Sequence, residues 1–223
     1  MKKVIVIILL LVLIAGGVLW ATKAYAMERI SGTWYVELDM SEQLVSSTDM
    51  LEDIPLENMM VPFVVRFEDG IYTMELDREK LPGALVQIRS DIGSTMINSY
   101  QDQGVAFLEK YLKKAGLKLN LDALLKDQNL SLERLVDMIF QLTGMSYDAI
   151  LEDSLSNEML TELFGQAEVS GRYAAIWSML YVSLSPDEKY DTKNYLNAVI
   201  TENDMIIGNG TMQFEQLPLT FHR

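Results

Sequence analysis

The sequence predicts an α+β chain: three antiparallel strands, then a block of helices, then five more strands, with an apolar helix in front. Three observations predict it. Residues 30–39, 61–77 and 167–223 alternate apolar and polar side chains with period two, residues 80–166 repeat apolar side chains at helical spacing, and Val4–Thr22 is an uncharged run rich in Val, Ile and Leu. Eight antiparallel strands are the number that closes a small barrel, around its own side chains or around one small ligand. A barrel or half-barrel interrupted after strand three is therefore expected. The expected divisions are 1–26 as anchor or signal peptide, 27–79 as the first three strands, 80–166 as a helical insertion and 167–223 as the remaining strands.

The apolar run follows Met1-Lys2-Lys3 and extends to Thr22. At about 1.5 Å per residue it can span a hydrocarbon core roughly 30 Å thick. Ala24-Tyr25-Ala26 also has the small-x-small form that a signal peptidase accepts, so cleavage after Ala26 is the alternative. In both cases Lys2 and Lys3 stay inside and residue 27 onward goes outside. The expected address is the cell membrane, as a single-pass protein with its C-terminal domain outside, or the exterior if cleaved.

The elements follow in order. In Ile30–Asp39, Trp34, Val36 and Leu38 share one face, while Tyr35, Glu37 and Asp39 share the other, which is the pattern of a half-buried strand. Residues 40–60 mix acids with Leu44, Met50, Leu51, Met59 and Met60. They read as a partly helical loop, with Ser41 and Thr48 placed to cap short turns. Val61–Asp77 reads as a hairpin about Asp69-Gly70, with Phe63, Val65 and Phe67 alternating into the turn and Tyr72, Met74 and Leu76 alternating out. After Pro82-Gly83 a helical stripe runs from Leu85 toward Gly116, with a break expected near Gly104. Asn120, Ser131 and Ser146 then each precede an acid at the second helical position, which predicts three short capped helices, and a fourth is expected over Asn157–Phe164. Strands are expected at Val169–Ala175, Ser178–Leu184, Tyr195–Thr201, Met205–Gly208 and Thr211–Phe221, with Pro218 at an edge or bulge.

Composition excludes several chemistries. The 223 residues carry a net charge of −14, and without residues 1–26, which hold Lys2, Lys3, Lys23 and no acid, the remainder carries −17. That sign disfavours nucleic acid, whose phosphates need Lys and Arg. With no cysteine there is no disulfide, thiolate metal site or cysteine nucleophile. His222 is the single histidine, so a Ser-His-Asp arrangement or a multi-histidine metal site has nothing to be made from. No pair of carboxylates is singled out by spacing, and the acids of residues 37–57 match no calcium loop. No enzymatic activity, metal or cofactor is expected.

Gly32-Thr33-Trp34-Tyr35, at the first strand, resembles the Gly-x-Trp signature that opens lipocalins. The resemblance implies that Trp34 packs across a closed barrel end against a basic residue of the last strand, here Arg223, with Gly32 beside it. The whole pattern is similar to uncharacterised lipocalin-like envelope proteins of Gram-positive bacteria. It implies a binding module for an apolar small molecule or peptide, with Phe63, Val65, Phe67, Tyr72 and Met74 as expected lining. The alternative is an envelope protein whose helical insertion meets a protein partner through Met138, Phe140, Met145, Tyr147, Met159 and Phe164.

Overall fold

In the computed structural model eight strands close into one antiparallel barrel in sequence order. The structure describes residues 17–48, 51, 54–99, 101–114, 116–117, 120–121, 131–214 and 216–223. The strands are β1 (Gly32–Asp39), β2 (Met60–Glu68), β3 (Ile71–Leu76), β4 (Val169–Ile176), β5 (Met179–Val182), β6 (Leu196–Ile200), β7 (Asp204–Gly208) and β8 (Leu219–His222). The helices are α1 (17–30), α2 (Ser41–Ser47), α3 (Leu81–Asn98), α4 (Gln101–Lys114), α5 (Leu132–Thr143), α6 (Tyr147–Ser154) and α7 (Asn157–Gly165). The chain forms two compact units. One comprises the described residues up to Val36 with Phe63–Glu75 and Glu168–Arg223; the other comprises Glu37–Pro62 and Leu76–Ala167. Residues 40–60 thus belong with the helices.

The barrel unit follows from period-two patterning. Asp69 and Gly70 take φ of 49° and 78°, the two positive values that a tight hairpin turn demands. Tyr72 pairs with Gly171 across β3 and β4, and its hydroxyl donates to the Ser183 carbonyl 2.9 Å away. The ring occupies the space where a side chain at 171 would stand: a Cβ there would lie 2.7 Å from Tyr72 and 1.9 Å from the Ser183 oxygen. An aromatic laid over a strand glycine pins the register of three strands. β8 is shorter than the expected Thr211–Phe221. Thr211 instead accepts the Tyr195 N–H (2.8 Å) and donates to the Lys193 carbonyl (3.0 Å), tying residues 209–218 into a loop, and Pro218 stands just before the strand. The up-and-down topology puts the three short turns, at Asp69-Gly70, Trp177-Ser178 and 201–203, at one barrel end, and the strand ends joined by the longer segments of the chain at the opposite end.

The helical unit is organised by glycines that admit close contact. The break expected near Gly104 does not fall on the glycine itself: α3 ends at Asn98, α4 begins at Gln101, and Gly104 lies inside α4, where a Cβ would meet Leu132 at 2.6 Å and Met96 at 3.3 Å. Gly93 of α3 similarly faces Leu151 and Tyr147. Ser146 and Ser156 cap α6 and α7 by accepting from Ala149 and Met159, and Ser131 accepts from Arg134 at the start of α5. The helix expected after Asn120 lies outside the described residues. Ser41 and Thr48 do not cap as expected. The Asp39 carboxylate accepts the Ser41 N–H (3.0 Å), the Ser41 hydroxyl (2.5 Å) and the Asn58 N–H (3.2 Å), while Thr48 follows the end of α2. A carboxylate takes three donors where a hydroxyl takes one or two, which is why Asp39 displaces Ser41 from the role.

No helix among the described residues is long and apolar enough to cross a membrane. Residues 4–16 of the apolar run lie outside the described residues, and 17–22 continue without interruption into α1.

Candidate functional site

Two places concentrate polar groups. The first is the short-turn end of the barrel. Trp34 is fully buried, with its indole N–H donating to the Ile30 carbonyl (2.7 Å), and the Arg223 guanidinium lies 4.5 Å from the centre of the Trp34 ring. Arg223 also donates to the carbonyls of Arg29 (2.8 Å) and Ser31 (3.4 Å) where α1 meets β1. Arg29 in turn donates to the Ile200 carbonyl, and the Met27 sulfur accepts the Ala175 N–H (3.3 Å). The last turn of α1, with Ala26 and Ile30 buried, closes this end. Every polar atom named here has a partner, and the cation–π contact adds about 1 kcal/mol. Gly32, at φ 118°, lets the chain turn from α1 into β1.

The other expected lining residues lie within the barrel. Phe63, Val65, Phe67 and Tyr72 are buried and Met74 is half-buried. Phe67 packs edge-on against Tyr173 at 4.9 Å and lies 6.1 Å from Tyr72. Burial pushes the Tyr72 and Tyr173 phenols above their ordinary pKa. None of the five borders the three clefts described here. Of the expected contact residues on the helices, Tyr147 and Phe164 are buried in the unit's core, and burial first, then the charge of Asp148, holds the Tyr147 phenol far above its usual range. Met145 is exposed, Met138 and Met159 are half-buried, and the Phe140 side chain lies outside the described residues.

Two clefts, of about 340 and 470 Å³, flank α1 on the barrel unit. The third lies wholly within the helical unit and measures about 690 Å³. Its wall combines Lys110, Lys113, Lys114 and the buried Tyr111 of α4 with Ser154 of α6 and Met159 of α7. Ser47 at the end of α2 and Thr48 just after it, 6 % exposed, also line it. The Thr48 and Ser154 hydroxyls are buried and have no hydrogen-bond partner among the described residues. An unsatisfied buried hydroxyl costs about 1–3 kcal/mol, so two in one wall mark the place where the helical unit is not optimised for its own stability. Burial, followed by the neighbouring Asp153 carboxylate, raises the Tyr111 phenol above its ordinary pKa. None of the three lysines has an ion-pair partner among the described residues.

Sequence reasoning passed over this cleft. Thr48 was expected as a cap and Ser154 carried no signal. The lysines did carry one: spacings of i, i+3 and i+4 put three positive charges on one helix face of a strongly acidic chain. No group of His, Cys, Asp or Glu that could hold a metal ion occurs among the described residues. Compared with models of known protein families, with curated proteins and with solved structures, the chain finds no match.

Proposed function

We propose that this chain is an extracytoplasmic, membrane-tethered, lipocalin-like binding module for a small apolar ligand or peptide. The observation that carries the reading is the difference between the barrel's ends. One is closed by Trp34, Arg223 and the last turn of α1, and at the other the strands are joined by long segments instead of tight turns. A rigid barrel closed at one end leaves the opposite end for recognition, where loops can vary without disturbing the strands. Met74, half-buried between the buried Tyr72 and Leu76 on the same face of β3, keeps side-chain surface for a ligand.

The tether is supported by the uncharged Val4–Thr22 run, which leads directly into α1, and by the side chains around the sealed end. Trp20 (74 %) and Tyr25 (62 %) are exposed on α1, and Trp177 (61 %) is exposed at the tip of the β4–β5 turn, which shares a cleft with Tyr25. Trp and Tyr favour the membrane–water interface, so the sealed end would face the bilayer. The alternative of a protein-contact surface on the helical unit would use its exposed apolar residues, among them Val86, Leu117 and Met145.

The test is native mass spectrometry of the full chain released from nanodiscs, with organic extraction of what it carries, beside a C-terminal alkaline phosphatase fusion that is active only outside the cytoplasm. A stoichiometric apolar adduct and an active fusion are expected. An inactive fusion with a correctly folded chain sinks the address, and an adduct-free chain that takes up no apolar probe sinks the binding module.

A further inference from the structure

The 690 Å³ cleft of the helical unit is separate from the barrel interior, and its chemistry is different. We infer that it is a second binding site, for an anionic single-chain amphiphile. The acyl chain lies over Tyr111 and Met159, and the headgroup, a phosphate or carboxylate, is met by the α4 lysines and by the Thr48 and Ser154 hydroxyls.

Each half of the ligand is read from one half of the wall. Tyr111 is buried in α4 and Met159 half-buried in α7, and the wall between them is mostly carbon, so it favours an apolar chain; a methionine adapts to chains of different shape. Lys110, Lys113 and Lys114 put three positive charges at the same cleft without ion-pair partners among the described residues. Placing Lys113 and Lys114 in the last turn of α4 also suits the helix dipole, which accounts for cations there. It does not account for Thr48, 94 % buried with a hydroxyl that has no partner among the described residues, or for Ser154 in the same wall. Hydroxyls and ammonium groups together are what an oxyanion head requires, since each supplies donors and the charges reinforce the hydrogen bonds. Asp153, the acid that faces Tyr111, stays engaged with that phenol. The volume falls within the range of pockets that enclose small ligands.

The experiment uses the full chain with methyl-labelled methionines, titrated with octyl phosphate, octanoate, octanol and inorganic phosphate below micellar concentrations. Met159 reports the cleft, and Met74 and Met205 report the barrel. Octyl phosphate or octanoate should shift the Met159 methyl at saturation, and octanol should bind about 10-fold or more weakly, because it lacks the charge. Whichever of the two anionic amphiphiles binds more tightly names the headgroup. The variant Lys110→Gln/Lys113→Gln/Lys114→Gln should lose about 10-fold for the anionic probes and leave octanol unchanged. Thr48→Val should weaken the anionic probes about 5-fold while the methyl spectrum stays native. Equal affinity of wild type and the triple variant for octyl phosphate, or a Met159 methyl unmoved by every probe, overturns the proposal. Inorganic phosphate binding as tightly as octyl phosphate overturns the acyl part. Shifts confined to Met74 and Met205 reject the cleft and leave the barrel-binding reading standing, and shifts confined to Met159 do the reverse.

Discussion

The sealed end of the barrel and the cleft of the helical unit are both built where polar groups meet an apolar interior, and they treat those groups in opposite ways. At the barrel end the buried indole N–H of Trp34 has the Ile30 carbonyl, and the Arg223 guanidinium has an aromatic face and two carbonyls. In the cleft, among the described residues, the buried hydroxyls of Thr48 and Ser154 have no hydrogen-bond partner and three lysines have no ion pair. A satisfied network stabilises and fixes one structure; an unsatisfied one sacrifices stability and keeps capacity for a ligand. The difference separates a structural closure from a binding site more sharply than burial does, since Trp34 and Thr48 are both buried.

The comparison can be broken by substitution. Trp34→Ala removes the largest side chain of the seal and should cost about 3–5 kcal/mol, read as the shift in urea midpoint by far-UV circular dichroism; a loss below about 1 kcal/mol would mean that the seal does not hold the barrel shut. Gly171→Ala forces a methyl against the Ser183 carbonyl and the Tyr72 ring, and about 2–3 kcal/mol of destabilisation is expected. If Gly171→Ala is silent, the Tyr72 ring does not pin the strands. Thr48→Val should carry the opposite sign, leaving stability unchanged or raising it by up to about 1 kcal/mol, because it replaces an unpartnered hydroxyl with a methyl. A clear loss of stability there would show that the hydroxyl is satisfied, and the contrast between the two regions would fail.

The smallest effect concerns pH. Burial alone would raise the Asp39 carboxyl, but hydrogen bonds from the Ser41 hydroxyl and from the N–H groups of Ser41, Asn58 and Met59 outweigh it and hold the group below its ordinary value of 3.8. Because the folded-state value lies below the unfolded one, this contribution is fully present above about pH 4 and is lost as pH falls through the folded-state value. Asp39→Asn should therefore flatten the acid limb of the stability profile, and an unchanged limb would show that the carboxylate is not what organises the start of α2.

Much of the barrel was legible because its signals are local. Trp34, Val36 and Leu38 alternate within one strand, and Asp69-Gly70 can adopt the positive φ of a turn within two residues; in the helical unit the expected cap Ser146 acts on an N–H group three positions away, by the same local logic. The cleft was not legible, because its members come from the turn after α2 and from α4, α6 and α7, and whether a hydroxyl finds a partner depends on what packs beside it. Gly104 misled for the same reason: a glycine inside a helical pattern reads as a break, and only the neighbouring Met96 and Leu132 show that it is a contact.

The sequence by itself determined the period of each segment, hence the strands, the helices and their order, and it determined the acidic net charge. Those properties reside in backbone geometry and in sums over residues, which need no knowledge of distant neighbours. Tertiary structure decided that the strands close on themselves, that residues 40–60 join the helices, and that Arg223 reaches Trp34 across nearly the whole chain. It also decided which buried hydroxyls would remain without partners. Closure and satisfaction depend on groups far apart in sequence meeting at hydrogen-bond distance, and only the folded chain fixes which of them meet.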